Sequence, residues 1–223
     1  PIYDVEEAHD LSGKVLIIGF GRFGQVTSQL LLARNIDVTI IDSDADMIRS
    51  ASTFGFKVYY GDGSRLDVLR ASGATTANAI AICVDQKEVA TKIAALVKSE
   101  FPQAKVLVRA YDRVHAVELI RAGVDYQMRE TFESAFRFGA ATLLELGIDQ
   151  DEIIQITNEI RRRDSERMQL EVCGKREASR SLLFGNIKKQ VQTPLLEPKR
   201  ESKALSSGTA ETVAKLPAES EGP

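Results

Sequence analysis

The chain has 223 residues, 43% hydrophobic and 27% charged, with a formal net charge of -3, a balance that suits one or two globular domains with a substantial core. Acidic residues outnumber basic ones over residues 1–170 and basic residues hold a small excess beyond, so no domain has the clustered Lys and Arg of a nucleic-acid binder. Nothing approaches the roughly 18 apolar residues of a membrane span, and Cys83 and Cys173, with only His9 and His115 for company, form neither a disulfide framework nor a zinc spacing.

Pro1 to Asp10 are acidic rather than signal-like, so a soluble, unexported chain is expected. Residues 1–12 carry no period and read as an arm or linker. From Lys14 onward strand and helix patterns alternate, as in a parallel sheet covered on both faces. The first strand, Lys14 to Ile18, breaks into Gly19-Phe20-Gly21-Arg22-Phe23-Gly24 and then into a helix from Phe23 to Ala33 with Val26, Leu30 and Ala33 at helical spacing. In such a G-x-G-x-x-G turn the first glycine permits the sharp bend. The second admits a phosphate to the backbone and the third lets the helix pack on the strand. The motif demands an acid at the end of the next strand, about 20 residues on, to hold a ribose. The second strand, Val38 to Ile41, ends at Asp42, and Asp44 suits the start of the following helix.

The third strand, Lys57 to Tyr60, runs into Gly61-Asp62-Gly63-Ser64. The fourth, Ala79 to Val84, stops at Asp85-Gln86, and a helix covers Glu88 to Ser99. The fifth, Lys105 to Ala110, carries Arg109 near its end. A helix over Val114 to Ala122 stops at Gly123, and Val124 to Met128 is the sixth strand. Ligands of open α/β sheets bind at strand carboxyl ends, so Asp42, Asp62 and Asp85 are expected to converge. Asp62 and Asp85 also read as turn formers or helix caps. Ser134 to Leu146 is a broad apolar helix, with Phe132, Phe136, Ala140, Leu143 and Leu144 on one stripe and Phe138 and Ala141 widening it. It either packs on its own sheet or meets a second copy. Ile153, Ile156 and Ile160 begin another helical pattern that runs to Met168, in which Arg161-Arg162-Arg163 reads as a solvated face. From Val191 the chain turns to Pro, Ser, Glu, Lys and Ala without apolar period, as in a disordered tail.

Taken together, Gly19 to Gln25, Phe54-Gly55-Phe56-Lys57-Val58-Tyr59-Tyr60-Gly61-Asp62 and Arg129-Glu130-Thr131-Phe132-Glu133 resemble the cytoplasmic nucleotide-binding domain of Kef-type potassium/proton antiporters. That domain belongs to the group called regulator-of-conductance or TrkA amino-terminal domains. The resemblance covers about residues 13–148 and implies a Rossmann-like doubly wound sheet that dimerises, with the helix over residues 131–146 crossing to the partner. It implies binding of NAD(H) or AMP, with Gly19, Gly21, Arg22 and Gly24 at the phosphates and Phe23 in the same turn. Asp42 would hold the ribose, Asp62 and Gly63 would flank the adenine, and Asp85 closes the same edge. In glutathione-gated members an arginine matching Arg129 serves the peptide, but Gln29 stands where they carry arginine and Asp164 where they carry asparagine. Losing a cation and gaining an acid makes a poorer site for an anionic tripeptide. Arg129 is also expected to pair locally with Glu130 and Glu133.

The organisation expected is an arm (1–12), a nucleotide domain (13–148), a helical extension (149–190) and a tail (191–223). The function implied is a ligand-sensing module, at the cytoplasmic face of the bacterial inner membrane, that gates potassium efflux through an antiporter domain, either upstream in the same polypeptide or a separate subunit. An ancillary flavoprotein partner occurs in some relatives. The competing reading is an NAD-dependent oxidoreductase, which would need a substrate domain or a built-in acid and base. No Tyr-x-x-x-Lys pair occurs, and neither histidine lies beside an acid at a strand end.

Overall fold

Val15–Ile18, an unbroken apolar run, forms β1, and the bend at Gly19 delivers the chain into α1 (Arg22–Ala33) and then β2 (Val38–Asp42). The Asp44 carboxylate accepts from the backbone N–H groups of Asp46 and Met47 and so starts α2 (Ala45–Thr53). β3 (Tyr59–Tyr60), α3 (Leu66–Ala71), β4 (Ala79–Ile82), α4 (Lys87–Glu100) and β5 (Lys105–Ala110) follow. Asp112 caps α5 (Arg113–Arg121), which ends at Gly123 with φ +79°. β6 (Tyr126–Arg129) leads without a loop into α6 (Glu130–Glu145), and Asp149 caps α7 (Gln150–Val172). These elements come from a computed structural model that describes residues 5–175 and 179. The tail expected over 191–223, and most of the helical extension beyond α7, lie outside the described residues.

The strands form one parallel sheet in the order β3-β2-β1-β4-β5-β6, the doubly wound Rossmann-like arrangement. Ile17 stands between Ile40 on β2 and Ala81 on β4. The chain leaves β1 toward β3 on one side and returns to β4 on the other, so the switch point lies between β1 and β4. Alternate residues feed two cores. Leu16, Ile18, Ile80, Ile82, Val106 and Val108 pack with α3, α4 and α5, while Ile17, Ile40, Ala81 and Cys83 pack with α1 and α2. β3 is shorter than expected because it is paired with β2 only through Ile41 and Asp42. Beyond it the arm adds a parallel bridge, Glu7 to Tyr60, with the Tyr60 N–H donating to the Glu6 carbonyl at 2.7 Å.

Two helices turn other faces inward than their apolar spacing suggests. On α1 the buried residues are Gly24 and Ser28, whereas Val26 and Leu30 are 61% and 72% exposed. A helix drawn close to the glycine turn has room there only for small side chains. On α6 no residue is buried. Phe132, Phe136, Ala140 and Leu143 are half-buried, and Phe138 and Leu144 are exposed. α6 and α7 pack against each other, as do α5 and α7, where Met168 joins the core.

Candidate functional site

Gly19 has φ +96°, and a Cβ there would lie 2.9 Å from the backbone nitrogen of Val84, so both conformation and space require glycine. Phe20 is pinned. Its ring is buried 5.1 Å from that of Phe56, its N–H donates to Asp42 Oδ2 at 2.6 Å, and its carbonyl accepts from Gln25 Nε2 at 3.2 Å. Gly21 caps α1 with no side chain to offer, and a Cβ on it would meet nothing within 4 Å. The first-turn N–H groups of α1 therefore face open space beside Arg22. Gly24 sits beneath this turn, where a Cβ would overlap the Gly19 carbonyl.

The open space belongs to a cleft of about 710 Å³ along the carboxyl ends of β1, β2, β4 and β5. Of the residues expected at a ligand, Gly19, Gly21, Arg22, Phe23, Asp42, Asp62 and Asp85 line it. Gly24 and Gly63 do not. Both are buried, and a Cβ on Gly63 would overlap the Ile18 side chain, so their demand for glycine comes from packing. Asp42 accepts from Phe20 and, through Oδ1, from the Asp44 N–H at 2.8 Å; each oxygen retains a second acceptor site. Asp62 is both turn former and lining residue, with Oδ1 accepting from the Ser64 N–H at 2.9 Å. Cys83 also lines the cleft, but burial pushes its thiol up to about 12, which keeps it protonated.

Arg109 and Glu130 line the same cleft, joined by a 2.7 Å ion pair, with the Arg109 guanidinium 5.5 Å from the Phe23 ring centre. They also line a neighbouring cavity of about 520 Å³ that reaches Tyr111, Arg113, Arg129 and Phe132. The local pairing expected of Arg129 with Glu130 and Glu133 is not what the chain adopts. Glu130 is held by Arg109, and Glu133 by Arg161 at 2.8 Å, an interaction that lowers the Glu133 pKa. Arg129 reaches across to α7, where both carboxylate oxygens of Asp164 accept from it, and it lies 4.1 Å over the Phe132 ring. Asp164 Oδ1 also accepts from Arg113 at 2.5 Å, and Arg113 extends to Glu171 at 3.1 Å. Asp164 thus bridges two arginines at a part-buried helix junction. Gln29 is exposed on α1 and its side chain makes no hydrogen bond among the described residues; it is not brought to this cluster. The three-arginine run is likewise committed, Arg161 to Glu133, Arg162 to Glu159 and Glu166, and Arg163 to Glu159.

The TrkA-N domain family matches residues 15–130, the span from β1 to the first residue of α6. The chain belongs to the TrkA-N family. This TrkA-N chain is also 42% identical over 214 residues to a glutathione-regulated potassium-efflux system protein of Haemophilus influenzae, an alignment covering 95% of the chain and 33% of that relative. The chain therefore spans about a third of that relative's length. Among solved structures it resembles the Kef CTD of Shewanella denitrificans in an AMP-bound form, with 36% identity, a TM-score of 0.64, and coverage of 70% of this chain and 96% of that one. The GsuK channel bound to NAD shares the fold at 22% identity and a TM-score of 0.54, over 61% of this chain and 25% of that one.

The sequence motifs give no role in the cleft to Arg109 or Glu130 of this TrkA-N domain. Arg109 stands near a strand's carboxyl end, which is signal enough to have flagged it. Glu130 carries no such signal, because it reaches the cleft only through the abrupt passage from β6 into α6. His115 has no free ring nitrogen. It is buried, Nδ1 accepts from the Tyr111 N–H at 3.0 Å, and Nε2 lies 3.1 Å from Thr91 Oγ1. Burial lowers its pKa, and an acceptor Nδ1 requires the neutral ring with its proton on Nε2.

Proposed function

We propose that this chain is the ligand-sensing regulatory part of a Kef-type potassium-efflux antiporter and that NAD(H) or AMP binds in the cleft over the glycine turn. The observation that carries the reading is the uncapped start of α1 at Gly21, open to an anion, with Asp42 braced on the same turn at the next strand end. The phosphates lie against the α1 N–H groups and Arg22, with Gly19 and Phe23 completing the turn. Asp42 accepts from the ribose hydroxyls, and Asp62 borders the adenine. The AMP named for the Kef CTD relative fits this assignment. A regulatory rather than catalytic role is supported by the chain's own titratable groups, since His115 has both ring nitrogens engaged and the Cys83 thiol is held neutral.

Two copies associate in this reading, burying the open side of α6 and the outward face of α1. Phe138, Leu146, Val26 and Leu30, exposed by 77%, 72%, 61% and 72%, are the residues such an interface covers. The membrane domain lies upstream in the same polypeptide and holds this chain at the cytoplasmic face of a bacterial inner membrane, and an ancillary flavoprotein is a further partner. Glutathione binds weakly or not at all, because Arg129 already has a carboxylate, that of Asp164, and Gln29 adds no charge.

Isothermal titration with AMP, NADH and NADPH tests the central assignment. NADPH is expected to bind roughly tenfold or more weakly than NADH, since a 2′-phosphate near Asp42 and Asp44 meets like charges worth about 1 to 4 kcal/mol. Equal or tighter NADPH binding would remove Asp42 from the ribose.

A further inference from the structure

The 710 Å³ cleft and the 520 Å³ cavity share Val84, Asp85, Arg109 and Glu130, so the Arg109–Glu130 ion pair forms a wall common to both. A nucleotide with its ribose on Asp42 and its phosphate at Gly21 runs along the sheet edge from β2 over β1 toward β4 and β5. Whatever is attached beyond the phosphates is directed at Asp85 and Arg109. There the ion pair stands between the cleft and the cavity that reaches Tyr111, Arg113 and Phe132. We propose that the Arg109–Glu130 pair discriminates ligand length: a mononucleotide binds with the pair closed, whereas a dinucleotide opens it and seats its second nucleoside in the neighbouring cavity. The inference rests on the nucleotide reading above and goes beyond it by naming the residues that tell the two ligands apart.

The same step has a mechanical consequence. Glu130 is the first residue of α6, so a ligand that parts it from Arg109 removes one of the ties on the first turn of that helix, leaving those of Glu133 to Arg161 and Arg129 to Asp164, while one that stops short leaves all three. Dinucleotide and mononucleotide therefore report differently to α6. The pair is only partly buried, with side chains 23% and 39% exposed, so opening it weakens dinucleotide binding by about 1.5- to fivefold.

The test is isothermal titration of the full chain and of Glu130→Gln with AMP and with NADH, circular dichroism verifying the fold. The ratio of NADH to AMP affinity is expected to rise about 1.5- to fivefold in the variant. Independently, in the wild-type protein, amide hydrogens of residues 133–136, the first with acceptors within α6, should exchange faster with NADH bound than with AMP bound. An unchanged ratio, or the same exchange with either ligand, overturns the gate and leaves the nucleotide site standing. A wild type that binds neither nucleotide overturns both readings together.

Discussion

Gly24→Ala and Gly21→Val separate packing from ligand approach within one turn. At Gly24 the added carbon overlaps the Gly19 carbonyl, a backbone atom that cannot rotate away, and the Cys83 Cβ stands 3.5 Å off on another side. α1 must shift outward from β1, and an overpacked contact of this kind costs about 1 to 3 kcal/mol. For a domain of this size that corresponds to a fall in Tm of roughly 3 to 10 °C. At Gly21 nothing lies within 4 Å, and φ −63° with ψ −177° is extended backbone open to any residue. Valine there should move Tm by less than about 2 °C, because the cost of an apolar residue at the cap is offset by the lost flexibility of the unfolded chain. Its methyl groups, however, occupy the space a phosphate would take. Losing one charge-assisted hydrogen bond to the anion costs about 1.5 to 3 kcal/mol, or tenfold to a hundredfold in affinity. Differential scanning fluorimetry and titration with AMP read the two effects on the same samples. The reasoning is refuted if Gly24→Ala melts with the wild type, or if Gly21→Val binds AMP unchanged.

For association, Phe138→Asp should lower the apparent mass in light scattering to that of a monomer with the helical signal intact. Phe136 is a poorer probe, since Arg161 already stacks 4.4 Å over its ring within one chain; a wild-type monomer at tens of micromolar (roughly, for a weak association) would refute the dimer. For the regulatory ligand, titration with reduced glutathione should give little or no heat in the wild type and a measurable gain in Asp164→Asn Gln29→Arg, and tight wild-type binding would overturn this. For pH, burial lowers the His115 pKa from its ordinary 6.5, so the folded state binds fewer protons than the unfolded. That contribution to stability is complete above about pH 6.5 and is lost as pH falls toward the folded pKa. Urea melts from pH 7.5 to 5 should fall more steeply for the wild type than for His115→Gln, and parallel slopes would assign the titration elsewhere.

Local chemistry is what the sequence by itself determined. An apolar run followed by glycines at that spacing gives a strand bent at Gly19 and a helix begun at Gly21, and Asp44 marks a helix start because a carboxylate can accept from the first-turn N–H groups. The alternation of such units makes a parallel sheet, and the sheet carries Asp42, Asp62 and Asp85 to one edge. The pairing of charges was decided only in three dimensions. Arg129 has acids one and four residues away in sequence, yet it binds Asp164, 35 residues on. The reason is geometric: α7 folds back on α5 and brings a carboxylate to two guanidinium groups, while Glu130 and Glu133 are drawn to Arg109 and Arg161. The inward face of α1 was likewise beyond periodicity. Val26 and Leu30 have the spacing of a core stripe, but the tight approach to Gly19 places Gly24 and Ser28 beneath the helix, with Phe23 and Leu31 partly buried beside them, and leaves Val26 and Leu30 outside.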